Sequence, residues 1–347
     1  MNESSVSAAA AAATPPALAD RLRGAIWGQF VGDAFCLGTH WIYDLDALAR
    51  QFPNDVQGFE PPALGHYHAP KEPGQQTHYG DAALVLLEAV AACGRLDVAD
   101  FGRRFVEHFG SADYTGYRDN TIRGTLKNFQ AAADARPGEP FDFQRGADDA
   151  EPATAARLAS VVVAHGALSD AELLALVASY TKVTQNNALA IAFLQADALA
   201  LRDLLAGDAP RGAFARGAET IYLLNKKSRE GKQVHELIAA ALANVDRSVH
   251  YVTTELFGQA CPLEHSFPAA VHCTLRHAAS FSEAMRENAR AGGDNAGRAA
   301  MIGGWLGAHL GVGAIPAAWR ERLQARARIE AAVEKLVAAT TSAAAHS

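Results

Sequence analysis

Two Gly-Asp pairs mark where this sequence can do chemistry. Gly292-Gly293-Asp294-Asn295 opens a segment whose glycines recur at Gly303, Gly307 and Gly311, while Gly24, Gly28 and Gly32 run at the same spacing into Asp33. A carboxylate at a helix terminus beside bare backbone is a common way to build a cation or ligand site. Glycine costs about 1 kcal/mol in a helix interior relative to alanine, so three glycines on one helix face need a compensating reason. Two helices packed backbone to backbone would supply one. Close packing with surface aspartates is the plain alternative to a ligand site, and the residues alone leave both open.

The elements that must position these carboxylates are helices. Apolar residues recur at three and four spacing through 82–92, 98–109, 121–135, 154–165, 170–181, 187–206, 234–245, 281–291 and 319–339, and alternating runs are nearly absent. Ser169-x-x-Glu172 and Ser280-x-x-Glu283 have the capping-box pattern. The pattern predicts an all-α fold, with about a dozen helices. A chain of 347 residues, 49% of them hydrophobic, can bury a large core, and nothing marks a division. The expectation is therefore a compact single-domain multi-helix bundle over 18–340. Alanine- and serine-rich ends at 1–17 and 341–347 read as disordered tails, the first without the basic start of a signal peptide.

Segment 44–79 breaks the helical order. It carries Pro53, Pro61, Pro62, Pro70 and Pro73, the cluster His66-Tyr67-His68, and the aromatics Phe52, Phe59 and Tyr79. So long a connection reads as an ordered binding loop or lid. The uncharged run 299–319 suits a helix at the centre of a bundle better than a membrane span. A net charge of −7 argues against nucleic-acid and anionic-membrane partners. Cys36, Cys93, Cys261 and Cys273 form no Cys-x-x-Cys pair, which fits buried free thiols in a reducing cytoplasm.

Longer motifs carry a resemblance. Arg23-Gly24-Ala25-x-x-Gly28-x-x-x-Gly32-Asp33-Ala34 resembles the opening helix of the ADP-ribosylglycohydrolase superfamily. Gly292-Gly293-Asp294 with Ala300-x-x-Gly303-x-x-x-Gly307-Ala308-x-x-Gly311 and Ile315-Pro316-x-x-Trp319 resembles its closing signature, and Thr184-Gln185-Asn186 a mid-chain Thr-His-Asn. The resemblance implies an all-α bundle of that type. It also implies two magnesium ions that assist cleavage of the N- or O-glycosidic bond of ADP-ribose on a protein side chain.

The same resemblance shows a broken ligand set. The family's Thr-Asp-Asp-Thr falls on Thr77-His78-Tyr79-Gly80, its Gly-Asp-Thr-Asp-Thr on Gly293-Asp294-Asn295-Ala296-Gly297, and a frequent glutamate on His40. Magnesium wants hard oxygen ligands, and only Thr77, Asp81 and Asp294 remain to offer them. Magnesium is thus the cofactor the family implies, with most of its ligands missing and no cofactor certain. A mononuclear site of His78, Asp81 and Asp294 is one alternative. Arg298, one turn beyond Asp294, either fills the vacated volume and pairs with that carboxylate or is a solvated first-turn residue. Where the family has a phosphate-binding Gly-Ser loop, this chain has Pro152 to Arg157, with Thr154 as a candidate N-cap over an anion.

For such a hydrolysis the residue chemistry offers Asp294 as the group that orients water and His40 or His78 as acid and base, because histidine titrates near neutral pH; the resemblance would place all three at one end of the bundle. Trp41 and Tyr43 would stack on a base or sugar. Gly292, Gly293, Asn295, Arg298 and Thr154 would line the ligand. Three functions follow: a hydrolase of an ADP-ribose-like or other nucleoside-containing substrate through an altered, metal-poor site; a silent ADP-ribose or nucleotide binder; or a structural protein, since the superfamily includes lens crystallins. The expected partner is a small molecule or an ADP-ribosylated protein.

Overall fold

The two glycine faces meet at the centre of the molecule. In a computed structural model that describes residues 16–139, 141–224 and 228–344, helix Leu18–Phe35 lies along helix Asn295–Leu310. A Cβ on Gly24, Gly28 or Gly32 would collide with the carbonyl oxygens of Gly307, Gly303 or Ala299. The backbones touch because no side chain intervenes, which is the reason the glycine spacing demanded. Around this pair the described residues form sixteen α-helices and no strand, with one apolar core running from Leu22 to Val337.

Local signals set most boundaries. Helix His78–Cys93 begins where the Thr77 hydroxyl accepts the Tyr79 N–H at 3.1 Å and ends at left-handed Gly94. Ser169 and Glu172 complete a reciprocal capping box, and the Ser280 hydroxyl accepts the Glu283 N–H. The run 299–319 supplies the buried central helix. No helix among the described residues is long and apolar enough to cross a membrane.

Several expectations need correction. The segment 44–79 contains a helix, Leu45–Gln51, capped by Asp44 through the Ala47 N–H at 3.0 Å. The stretch 154–165 is a 3-10 turn, Ala155–Arg157, followed by helix Ala159–His165. The periodic run 319–339 is two helices, Ala317–Glu321 and Arg326–Ala344, and the second continues into the tail expected from 341. Helices Pro210–Leu224 and Leu263–Arg276 are additional. Residues 1–15 and 345–347 of the expected tails lie outside the described residues. All four cysteines are free, but only Cys36 and Cys273 are buried; Cys93 is exposed.

Candidate functional site

The site is built at the N-terminal end of helix Asn295–Leu310. Gly292 and Gly293 both take φ 64°, the left-handed region, and a Cβ on Gly293 would strike the backbone of Gln259. This conformation turns Gly293 toward the segment that follows the opening helix. The Trp41 N–H donates to the Gly293 carbonyl and the Gly293 N–H to the Ile42 carbonyl, each at 2.8 Å. Asp294 is thereby held fully buried, with Oδ1 3.4 Å from His40 Nδ1 and Oδ2 3.4 Å from the Tyr79 hydroxyl. Burial pushes its carboxyl up to about 6, with the nearby Arg298 charge pulling the other way. Burial, followed by the neighbouring His68 and His78, holds the His40 imidazole well below its ordinary value and therefore neutral.

Above this pair lies an aromatic stack. His40 and Trp41 rings are 4.2 Å apart, Trp41 and His68 5.4 Å, and His68 and His78 5.5 Å, all roughly face to face except where Tyr117 meets Trp41 edge-on at 5.0 Å. His68 comes from segment 44–79, the binding loop or lid expected from the sequence, which is anchored where a His66 ring nitrogen lies 2.6 Å from the His40 carbonyl. His78 begins its helix and sets Nε2 3.4 Å from Oδ2 of Asp119, the cap of helix Asn120–Ala135. Outside His68 lies a cavity of about 500 Å³ bordered by Tyr67, Lys71, Asp81, Tyr114 and Tyr117.

A second acid stands beside the first. Burial, then the charges of Asp149, Asp119 and Asp294, push the Glu151 carboxyl up to about 7. Its neighbour Pro152 abuts the Asp294 turn: a Cβ on Gly297 would lie 2.8 Å from Pro152 Cγ and 3.0 Å from Asp294 Oδ2.

The structure therefore brings together Asp294, His40, His78 and Trp41. Sequence reasoning missed Glu151, Asp119, Tyr117 and His68 as members of the site. The His66-Tyr67-His68 cluster signalled the last of these, whereas the acids carry no local pattern beyond a cap position. Tyr43 stands at the rim, 46% exposed, with its hydroxyl 3.8 Å from Cys261 Sγ.

Other candidates are internal struts. Thr154 precedes the 3-10 turn Ala155–Arg157 at its N-cap position but makes no side-chain capping bond: its N–H and hydroxyl both donate to Gln185 Oε1, so that amide is not free for a phosphate. The Asn295 amide donates to Thr39 Oγ1 at 2.9 Å and to the carbonyls of Thr39 and Ala289. Arg298 is neither solvated nor paired with Asp294. It is 1% exposed, and its guanidinium donates to Asn288 Oδ1 at 2.9 Å and to the Gly292 carbonyl.

The expected metal ligands do not converge either. The Asp33 carboxylate accepts both the Thr77 N–H and hydroxyl, and Asp81 Oδ2 is taken by Lys71 Nζ at 2.7 Å and the Tyr114 hydroxyl at 3.0 Å. An ammonium already neutralises Asp81, so neither the magnesium pair nor a His78, Asp81 and Asp294 site is assembled. Asp294 alone among these carboxylates faces the stack. Hard-oxygen coordination of two magnesium ions does not fit this donor set.

Comparison with known proteins agrees with the architecture. A family model described as ADP-ribosylglycohydrolase matches residues 14–345. Crystallin J1A of Tripedalia cystophora is 25% identical over 308 residues, covering 87% of this chain and 92% of that protein. A solved structure titled "ADP-ribosylglycohydrolase-related protein complex" superposes with a TM-score of 0.68 at 24% identity, over 93% of this chain and 99% of that one, a likeness of fold.

Proposed function

Since the chain belongs to the ADP-ribosylglycohydrolase family, matching its model over residues 14–345, we propose that it hydrolyses the N- or O-glycosidic bond of an ADP-ribosyl or related nucleoside-containing substrate through an altered, metal-poor site. The observation that carries this reading is the buried Asp294–His40 pair, 3.4 Å apart, with the Glu151 carboxyl held near 7 beside the same turn. Two carboxyl groups whose environments differ are the equipment of glycoside hydrolysis.

In this reaction the bond from the anomeric carbon to the leaving nitrogen or oxygen breaks through an oxocarbenium-like state. Asp294, ionised above about 6, orients the attacking water and receives its proton, while His40, 3.4 Å away, holds the carboxylate in place. Glu151, still protonated near neutrality, gives a proton to the leaving group. The water oxygen closes the new bond to carbon, so protons and electrons balance. Tyr117, which borders the cavity outside His68, offers a ring for a base or ribose, backed by Trp41.

The test is release of ADP-ribose from arginine- and serine-modified proteins by the full chain. Asp294→Asn should lower kcat by about 10² or more, the usual range for general acid–base groups, while the protein stays folded. Unchanged kcat in that variant would remove Asp294 from the reaction. A second reading, a non-catalytic binder, is favoured by the Lys71–Asp81 pair, because the ammonium occupies a carboxylate that was a candidate metal ligand. Calorimetry showing ADP-ribose binding without turnover would establish it. The jellyfish crystallin relative points to a bulk structural role, the outcome if neither binding nor turnover is found.

A further inference from the structure

We propose that His40, His68 and His78 bind a single first-row transition-metal ion, with zinc as the reference case, through three imidazole nitrogens. Among the described residues these three side chains form the cluster whose ligand atoms all lie within 4.8 Å of one another. They are 0–2% exposed. Nε2 of His40 and both ring nitrogens of His68 and of His78 have no hydrogen-bond partner. A buried, unpaired imidazole nitrogen forfeits the solvation it had in water, which is costly once and unusual three times at one spot. A shared ligand is the direct explanation.

The chemistry selects the ion. Zinc–nitrogen bonds of about 2.0–2.1 Å in tetrahedral geometry place neighbouring nitrogens about 3.3 Å apart, so modest ring rotations close the cluster. Imidazole suits zinc and its neighbours and not magnesium. The outer groups are also those that orient such ligands. Asp294 Oδ1 lies 3.4 Å from His40 Nδ1, and Asp119 Oδ2 lies 3.4 Å from His78 Nε2. A proton on His40 Nδ1, shared with Asp294, leaves Nε2 as the ligand; Asp119 does the same for His78 through its other nitrogen. The Ala296 N–H, 3.4 Å from His40 Nδ1, gives way in that tautomer. Two ligands lie on the scaffold and one, His68, on the lid, so the ion would also fasten the lid.

This site coincides with that of the proposed hydrolase, but the inference concerns binding, and its test needs no turnover. Chelator-treated full-length protein is titrated with zinc and, separately, magnesium by calorimetry, and with cobalt by visible absorption. One zinc per chain is expected, with no magnesium heat and a cobalt spectrum of low coordination number. His68→Ala, on the lid and outside the helices, should weaken zinc at least a hundredfold and abolish the cobalt bands. Asp119→Asn should weaken zinc about tenfold or more, as loss of an outer carboxylate does. Absence of a one-to-one zinc complex in the wild type would overturn the proposal. So would zinc binding in His68→Ala at wild-type strength, which would assign the metal to other surface groups. Should His68→Ala fail to fold, the wild-type cobalt spectrum decides: six-coordinate, water-like bands overturn the proposal.

Discussion

Glu151 is the residue where pH should be most visible. Its carboxyl is shifted from 4.5 to about 7 by burial first and then by Asp149, Asp119 and Asp294. A general acid works in its protonated form and Asp294 in its ionised form, so kcat/KM should peak between about 6 and about 7, falling as pH rises through 7 with loss of the Glu151 proton and as pH drops through 6 with protonation of Asp294. Glu151→Gln should lower the rate by about 10²-fold or more, within the range for such groups, and erase the alkaline limb. A Glu151→Gln profile that still falls through 7 assigns the limb to another group. Asp294 was legible in the sequence because its Gly-Asp survives; Glu151 was not, because its raised pKa comes first from burial and then from charges that include Asp119 and Asp294, which only the fold brings near it. The same holds for His68, which a period of 3.6 cannot place above a ring 28 residues earlier. Arg298 fits neither sequence reading: it is buried, not solvated, and its Nε and Nη2 donate to the Asn288 and Gly292 oxygens, not to Asp294.

The helix pair at the centre separates two glycines that sequence alone treats alike. A Cβ on Gly303 would strike the Gly28 carbonyl oxygen, whereas one on Gly304 would meet Ala25 O at 3.7 Å, an ordinary contact. Gly303→Ala should therefore cost about 3 kcal/mol, at the upper end of overpacking, while Gly304→Ala should be neutral or stabilise by about 0.5–1 kcal/mol through helix propensity. Denaturant midpoints measure both, and a Gly303→Ala protein as stable as wild type would refute the backbone contact. The same helix binds its neighbour through the Trp305 indole N–H, 2.6 Å from Asp197 Oδ1. Burial raises the Asp197 carboxyl from 3.8 to about 8. The folded state thus holds a proton the unfolded chain has lost, and stability present below 3.8 declines as pH rises toward 8. Asp197→Asn should flatten that part of the stability curve, read from melting temperatures across pH 4 to 8. Periodicity revealed most helices because burial on one face writes itself into spacing. Helix Leu263–Arg276 escaped because Pro268 lies inside it, and 319–339 appeared continuous because the break after Glu321 leaves the apolar spacing intact.

At the scale of the whole chain, the lid is tied to parts of the molecule far apart in sequence. Lys71 Nζ bonds Asp81 Oδ2 at 2.7 Å and the Gln76 carbonyl, and the Gln324 N–H donates to the Gly74 carbonyl at 2.9 Å. Gly74 packs so closely on Arg322 that a Cβ would meet its carbonyl oxygen. The opening helix, the 44–79 segment, the Asn120–Ala135 cap and the closing helix therefore converge on one site. Of these ties, the Lys71–Asp81 pair is partly buried, and breaking it leaves Asp81 without its cation; such a loss costs more than that of an exposed pair. Lys71→Met keeps the apolar stem and removes only the charge. The lid should then open locally without unfolding the core, because local openings follow local bonding rather than global stability. In hydrogen exchange, amides of 66–76 should exchange about tenfold faster or more, which corresponds to the loss of roughly 1.4 kcal/mol, while those of helix Asn295–Leu310 remain as protected as before. Uniform acceleration across both segments would mean that the lid is a cooperative part of the core.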